Sequence, residues 1–163
     1  MIGKVIKYNL QNINTDLIIP ARYLINSDEN YLAQHCMEDL DRDFVDKVKK
    51  ENYQILVADS NFGCGSSREQ APSAIKASGI LCIIAPSFAR IFFRNAINIG
   101  LPIIEFQDIE KLKTGDVLKI QFEDGLIKNT STSEEFQIKK QPSFLQQIIS
   151  DGGLVNYAKK RLI

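Results

Sequence analysis

The sequence has few residues of the kinds that bind metals or carry out hydrolase chemistry. Its 163 residues include three cysteines and one histidine, His35. Cys36, Cys64 and Cys82 are widely spaced and form no CxxC pair, so the sequence predicts neither a disulfide framework nor a zinc or iron–sulfur site in this chain. His35 beside Cys36 is an alternative metal pair, but adjacent helical residues point in different directions, which favours a surface position for His35. A hydrolase with a histidine base would need His35 to lie near Ser66 or Cys64.

The sequence also lacks an excess of charge and any long apolar run. The 20 Lys and Arg residues balance the 20 Asp and Glu residues, so no overall basic field attracts nucleic acid or an anionic membrane. The apolar stretches fall far short of the roughly 20 residues that span a bilayer, and the N-terminus does not resemble a signal peptide. We therefore expect a cytoplasmic protein with no nucleic-acid or membrane partner. A hydrophobic content of 44% suffices for one core, which predicts a single domain over residues 1–163.

The middle of the chain alternates apolar runs with helical segments, which is typical of an α/β fold. Strands are predicted at residues 53–58, 80–85 and 101–105, and helices at 72–78 and 88–98. Such a βαβαβ unit has parallel strands with right-handed crossovers.

The flanking regions predict further strands and short helices. A half-buried strand is predicted at 3–8, a short apolar run ending in proline at 17–20, and one or two helices within 26–50. A hairpin of 115–122 with 126–129, a strand at 135–138 and helices at 142–149 and 154–162 are predicted after the parallel unit.

The segment at residues 61–72, NFGCGSSREQAP, joins a predicted buried strand to a predicted helix. Its two glycines let the backbone approach a ligand closely or take a positive φ. Ser66, Ser67 and Arg68 follow near a helix N-terminus, whose free N–H groups favour anions, and the Arg68 guanidinium matches a carboxylate in two parallel hydrogen bonds. Ligands of parallel sheets bind beyond the carboxyl ends of the strands, so this segment predicts a carboxylate-binding site.

Helix capping is the alternative interpretation of the two serines. Ser66 with Glu69, or Ser67 with Gln70, has the spacing of a capping box. With Ser66 as N-cap, Pro72 would be the sixth helical residue, where it removes a hydrogen bond and clashes at a cost of about 3 kcal/mol. Proline is tolerated at the first helical position, so we predict that the helix starts near Pro72 and that the serines face a ligand.

Three motifs together resemble a known family. NINTDLIIPARYL, NFGCGSSREQAP and IIAPSFARIFFRNAINIGLPII occur in this order, and the match covers most of residues 1–105. In these motifs the chain is similar to the small subunits of 3-isopropylmalate dehydratase and, more broadly, to the swivelling domain of the aconitase superfamily. The resemblance implies a swivelling β/β/α domain, which agrees with the predicted βαβαβ unit and hairpin.

The resemblance implies an enzyme that is active only as a complex. A large subunit would hold a [4Fe–4S] cluster that acts on the substrate as a Lewis acid, while this chain would hold no cofactor. The substrate would be a small dicarboxylate, dehydrated and rehydrated in the other orientation, so that 2-isopropylmalate and 3-isopropylmalate are interconverted in leucine biosynthesis.

The resemblance also implies roles for four residues. Ser66 matches the serine that, as an alkoxide, removes a carbon-bound proton, and Arg68 matches an arginine that holds a substrate carboxylate. Ser67 matches a neighbouring polar ligand, and Asp16 an active-site aspartate. Asp16 has an alternative role, because Asn and Asp in turns often bond their own backbone. A serine is a credible base only where amide donors and a fixed cation stabilise its alkoxide away from solvent.

Substrate choice is expected to depend on the loop that contains Arg22, Tyr23, Leu24 and Ile25. In homoaconitase-type relatives the position of Ile25 is an arginine that binds a third carboxylate. The aliphatic Ile25 favours isopropylmalate, since burial of an apolar surface of that size contributes about 1.5–3 kcal/mol and an added carboxylate stays unpaired. Arg22 is expected to bind a carboxylate if the loop folds inward, and Gln70 replaces the histidine often found at its position.

Two other functions fit the sequence. The chain is also compatible with the small subunit of a related hydro-lyase, acting on homoaconitate or another substituted malate. A non-catalytic anion-binding module with a regulatory role is the alternative outside the enzymes.

Overall fold

A seven-stranded mixed sheet is the centre of the fold in a computed structural model that describes residues 1–162. The strands lie in the order β4-β3-β2-β1-β5-β6-β7. They are β1 Ile2–Tyr8, β2 Tyr53–Ala58, β3 Cys82–Ala85, β4 Ile103–Glu105, β5 Val117–Gln121, β6 Leu126–Asn129 and β7 Glu135–Gln137. The sheet therefore combines a parallel half and an antiparallel half that share β1.

Within residues 1–162, seven short helices complete the secondary structure. They are α1 Thr15–Ile18, α2 Glu29–Gln34, α3 Phe44–Glu51, α4 Gln70–Ala77, α5 Arg90–Asn98, α6 Ser143–Ser150 and α7 Leu154–Lys159, with 3-10 turns at Ala21–Tyr23 and Ile109–Lys111. Of the helices in residues 1–162, none combines the length and the apolarity that crossing a lipid bilayer requires.

The parallel half confirms the predicted βαβαβ unit. β2, β3 and β4 are mutually parallel, with Val57 beside Ile84 and Ile84 beside Ile104. β1 adds a fourth parallel strand on the other side of β2, with Ile6 beside Leu56. The inner strands read as apolar runs because side chains on both of their faces are buried.

Successive residues of these strands belong to two different cores. Ile6, Leu56 and Ile83 pack with side chains from all seven helices. Their neighbours in sequence, among them Ile55 and Ile84, pack on the opposite face with residues of β5, β6 and β7. The helices therefore cover one face, and the sheet curls so that its antiparallel half covers the other.

The predicted hairpin is confirmed, and it extends the sheet at β1. β5 pairs antiparallel with both β1 and β6, and Ile120 lies opposite Ile127. β7 pairs with β6 and places Phe136 against Phe106, with ring centroids 5.4 Å apart. This half of the molecule closes the second core and lies away from the loops described below.

Some element boundaries differ from the predictions. The prediction that α4 starts near Pro72 was wrong by two residues, since the helix begins at Gln70. Pro72 is its third residue, where the missing N–H has no partner within the helix, so the proline removes no hydrogen bond. α1 was not predicted, because only four residues form it and Asn14 caps it by accepting a hydrogen bond from the Leu17 N–H at 2.9 Å.

Candidate active site

Two loops at the carboxyl ends of β2 and β3 are joined by backbone hydrogen bonds. The Phe62 N–H donates to the Ser87 carbonyl at 3.1 Å, and the Ala89 N–H donates to the Phe62 carbonyl at 2.9 Å. The loop that begins at Asp59 and leads to α4 is therefore fixed against the loop that leads to α5. This edge of the sheet is where a parallel fold places its ligands.

The segment before α1 attaches to the same loop. The Gly63 N–H donates to the Ile13 carbonyl, and the Thr15 N–H donates to the Cys64 carbonyl, both at 2.8 Å. These bonds place Asp16, from the first motif, beside the Ser66–Arg68 region of the second, about fifty residues away in sequence. The alternative role for Asp16 was a hydrogen bond to its own stretch of backbone. Asn14 makes that local hydrogen bond instead, by accepting from the Leu17 N–H.

Gly63 is a position that only glycine can occupy in this loop. Its φ is +77°, and a Cβ there would lie 2.2 Å from Cγ of Phe92. Phe92 is buried in α5 and packs against Phe62, with ring centroids 5.2 Å apart. The glycine therefore lets the α4 loop approach α5 closely, which sets the width of the space between them.

Ser66 is exposed and lines a cleft of about 540 Å³. Its carbonyl accepts a hydrogen bond from Thr15 Oγ1 at 2.9 Å, and the two hydroxyl oxygens are 3.3 Å apart. Ser67 is also exposed and lines the same cleft. α4 has no side-chain cap, so neither serine forms the capping box that was the alternative.

Arg68 links the loop that carries Ser66 and Ser67, called the serine loop below, to the segment around α1. Its Nη1 donates to the Ile19 carbonyl at 2.8 Å, and its Nη2 lies 2.7 Å from Oδ1 of Asp16. The Arg68 side chain is only 11% exposed, whereas that of Asp16 is 58% exposed. A guanidinium has five N–H donors, so these two contacts leave three for a ligand in the cleft.

Two cleft residues were not among the predicted site residues. Arg90 and Arg94, at the start of α5, line the cleft opposite the serine loop. With Arg68 they are the only charged residues within 1–162 that line it, and no carboxylate of these residues does. The signal available in the sequence was their four-residue spacing after a predicted strand, but their position opposite Ser66 depends on the packing of α5.

The loop predicted to choose the substrate lies outside this cleft. None of Arg22, Tyr23, Leu24 and Ile25 lines it. The two terminal nitrogens of Arg22 bind the carboxylate of Asp39 at 2.9 and 2.6 Å, and Tyr23 Oη donates to Glu38 at 2.9 Å. Ile25 is 90% exposed. In this chain alone the loop is therefore held by residues 35–39 and presents Ile25 to the outside.

His35 belongs to the same contact set and not to the cleft. Its ring stacks on Tyr23 with centroids 3.7 Å apart, and its Nδ1 lies 2.7 Å from Glu38. The hydrogen bond with His35 lowers the pKa of Glu38, and the hydrogen bond with Arg22 lowers the pKa of Asp39. The histidine is partly exposed and contacts aromatic rings, whereas the neighbouring Cys36 is buried, so the two do not form a metal pair.

The donor set of this chain does not fit an iron–sulfur cluster or another metal. Cys36 and Cys82 are buried in the two different cores, and burial raises the pKa of both thiols. Cys64 is partly buried beside the cleft. Across residues 1–162 no three His, Cys, Asp or Glu side chains are grouped so that they could hold a metal ion. The site instead has hydroxyls and guanidinium groups, which bind small anions.

The chain is similar to known proteins of one family over nearly its whole length. The Aconitase C-terminal domain family matches residues 3–109. The 3-isopropylmalate dehydratase small subunit of Caldanaerobacter subterraneus subsp. tengcongensis is 55% identical over 163 residues, with 99% of each chain covered. That of Clostridium beijerinckii is 56% identical, with 98% of each covered. A crystal structure of 3-isopropylmalate dehydratase from Methanocaldococcus jannaschii superposes with a TM-score of 0.90 at 44% identity, covering 99% of this chain and 95% of the other.

Proposed function

Since this chain belongs to the 3-isopropylmalate dehydratase small subunits, within the aconitase C-terminal domain family, we propose that it is the small subunit of a hydro-lyase that interconverts 2-isopropylmalate and 3-isopropylmalate in leucine biosynthesis. The single observation that carries the proposal at the level of chemistry is the exposed Ser66 beside a cleft whose charged lining residues are all arginines. A base and a cationic cleft are what the removal of a proton next to a carboxylate requires.

Ser66 is the proposed base. As an alkoxide it takes the proton from the carbon next to a substrate carboxylate and becomes a neutral hydroxyl. The electrons of the broken C–H bond form the double bond and expel the hydroxyl of the adjacent carbon as hydroxide, which a proton from solvent converts to water, leaving an unsaturated dicarboxylate. Returning the proton and the hydroxyl in the opposite arrangement gives the isomer. Thr15 Oγ1 lies 3.3 Å from Ser66 Oγ, and it would donate to the alkoxide only by giving up its hydrogen bond to the Ser66 carbonyl.

Arg68, Ser67 and Asp16 are proposed to hold the substrate in position. Arg68 would bind one carboxylate through the N–H groups that Asp16 and Ile19 leave unused. Asp16 would fix the guanidinium and keep its plane oriented toward the cleft. Ser67, exposed on the same wall, would donate a further hydrogen bond to the substrate.

The loop that carries Tyr23, Leu24 and Ile25 is proposed to contact the isopropyl group. A side chain as exposed as Ile25 gains from burial against an apolar substituent, while an additional carboxylate there would lack a partner. Arg22 would have to exchange Asp39 for a substrate carboxylate before it could bind one. We therefore assign selectivity to the aliphatic side chain, and Arg22 first of all to holding the loop.

A large subunit is the proposed partner, in the cytoplasm. Relatives that match almost the whole chain are named small subunits, which implies a second, larger chain. The family resemblance implies a [4Fe–4S] cluster, and we place it on that partner. The three cysteines of this chain are dispersed between two cores and a loop. The cluster would supply Lewis acidity toward the leaving hydroxyl.

Substitution of Ser66 tests the proposal. Assembled with the cognate large subunit, the Ser66→Ala chain should lose activity by at least about 100-fold, the usual effect of removing a general base. Absorbance of the unsaturated intermediate reports the rate. Ser150→Ala, which removes an exposed hydroxyl from α6, is the matched control and should retain full activity.

Three results would count against the proposal. Near wild-type turnover by Ser66→Ala would refute the serine base. A wild-type complex that turns over only a tricarboxylate or another substituted malate would identify a related hydro-lyase. Anion binding by this chain, without activity alongside any large subunit, would indicate a regulatory module.

A further inference from the structure

The start of α5 carries two arginines that the roles proposed so far leave unused. Arg90 and Arg94 are four residues apart, so their side chains lie on the same face of the helix. Both are exposed, and both line the cleft that Ser66, Ser67 and Arg68 line from the opposite side. The cleft therefore has cationic groups on two walls.

The two walls differ in how much of their charge is already neutralised. Arg68 is paired with Asp16 at 2.7 Å. Among the ion pairs of residues 1–162, none includes Arg90 or Arg94. The uncompensated positive charge of the cleft thus lies on α5.

This distribution suits a ligand with two separated carboxylates. If Arg68 binds one carboxylate of such a ligand, the second faces the wall formed by Arg90 and Arg94. Each of these guanidinium groups has planar N–H donors that match a carboxylate. We propose that Arg90 and Arg94 form a second carboxylate-binding position for the substrate, opposite Arg68. The proposal rests on the proposed function, because it requires a dicarboxylate substrate at Ser66.

Kinetics of the assembled enzyme test this position. Arg90→Gln and Arg94→Gln should each raise KM for isopropylmalate by about tenfold, with a smaller change in kcat, as expected for the loss of a charge-assisted hydrogen bond. Arg161→Gln removes the same charge from the end of the chain, where its guanidinium lies on Tyr157, and should leave KM unchanged.

An inert ligand separates substrate binding from other effects. 2-Isopropylsuccinate keeps both carboxylates but lacks the hydroxyl, so it should inhibit competitively without reacting. Its inhibition constant should rise about tenfold in Arg94→Gln. A monoamide that lacks the carboxylate facing α5 should bind equally to wild type and variant, because the interaction is already absent.

Two outcomes would overturn the inference while leaving the proposed function intact. If the arginine variants weaken assembly with the large subunit, measured by sedimentation, in proportion to the loss of activity, then α5 contacts an acidic surface of the partner. If KM and the inhibition constant stay at wild-type values, the arginines are ordinary surface charges. A wild-type complex inactive on isopropylmalate would instead refute the proposed function itself.

Discussion

Arg68 connects two separate stretches of sequence through hydrogen bonds of its side chain. Its two terminal nitrogens reach Asp16 and the Ile19 carbonyl, while its backbone carbonyl accepts the hydrogen bond of the Ala71 N–H at the start of α4. The same side chain that is proposed to bind substrate thus also holds the 12–20 segment against the serine loop. Replacement of Arg68 would therefore alter both binding and local geometry, which makes it a poor first choice for a functional test.

Gly63 offers a cleaner test of how the loop geometry is maintained. We expect Gly63→Ala to lower the free energy of unfolding by about 3 kcal/mol or more, because a positive φ and a collision with Phe92 act together. Activity should fall as well, since relief of the collision moves the loop away from α5. Urea denaturation monitored by circular dichroism measures the stability.

Gly115→Ala is the matched control for that substitution. Its φ is +96°, but a Cβ there would meet no atom within 4 Å, so only the backbone strain of about 1 kcal/mol applies. Equal destabilisation of the two variants would mean that contact with Phe92 contributes nothing.

At the scale of helices and strands, the parallel unit was predictable and the exact helix starts were not. Residues 53–58 form a strand as expected, because a short apolar run buried on both faces has few alternatives. The start of α4 was misplaced because proline fits the first turn at several positions, and sequence alone does not choose among them.

The candidate site was also only partly predictable from the sequence. The serine loop was identified from its composition and its place after a buried strand. The resemblance implied that Asp16 and Arg68 are both active-site residues, but their ion pair was not predicted, and the two arginines of α5 had no signal strong enough. Their convergence depends on hydrogen bonds between loops, such as those of Gly63 and Thr15, which no local pattern encodes.

A further prediction concerns amide hydrogen exchange in the loop around the 3-10 turn Ala21–Tyr23. Asp39→Asn should increase amide hydrogen exchange at Leu24 and its neighbours by about twofold to fivefold, because Arg22 loses its two shorter carboxylate contacts and keeps only the one with Glu38 at 3.3 Å. Global stability should hardly change, since the pair is exposed. Exchange followed by NMR measures both.

Asp108→Asn provides the comparison for the loop. It breaks the exposed pair with Lys111 in the other 3-10 turn and should leave exchange at Leu24 unchanged. If Asp39→Asn also has no effect there, the stacking of Tyr23 on His35 is sufficient to hold the loop.

For the molecule as a whole, the buried thiols predict lower stability in alkali. Burial raises the pKa of Cys36 and Cys82 above the ordinary value of 9.0, and burial with a hydrogen bond to Asp41 raises that of Tyr8 above 10.0. Above about pH 9 the unfolded chain loses these protons and the folded chain keeps them. The free energy of unfolding should therefore fall as pH rises, by up to about 1.4 kcal/mol per pH unit for each group.

Urea titrations under reducing conditions between about pH 8 and pH 10 measure this slope. Cys82→Ala should make it shallower, because one of the proton-retaining groups is gone. Ile84→Val, on the same strand, creates a small cavity without a titrating group and should lower stability equally at every pH. An identical slope in Cys82→Ala and wild type would contradict the assignment to buried thiols.

Ser66 is exposed to solvent, and this chain alone does not close the cleft that it lines. Under the proposed role, an alkoxide formed there would be reprotonated by the surrounding water before any metabolite reacted. Surplus copies made without their counterpart would consequently be inert and would consume no intermediates. A cell could then synthesise the two polypeptides in unequal amounts without risking unwanted chemistry.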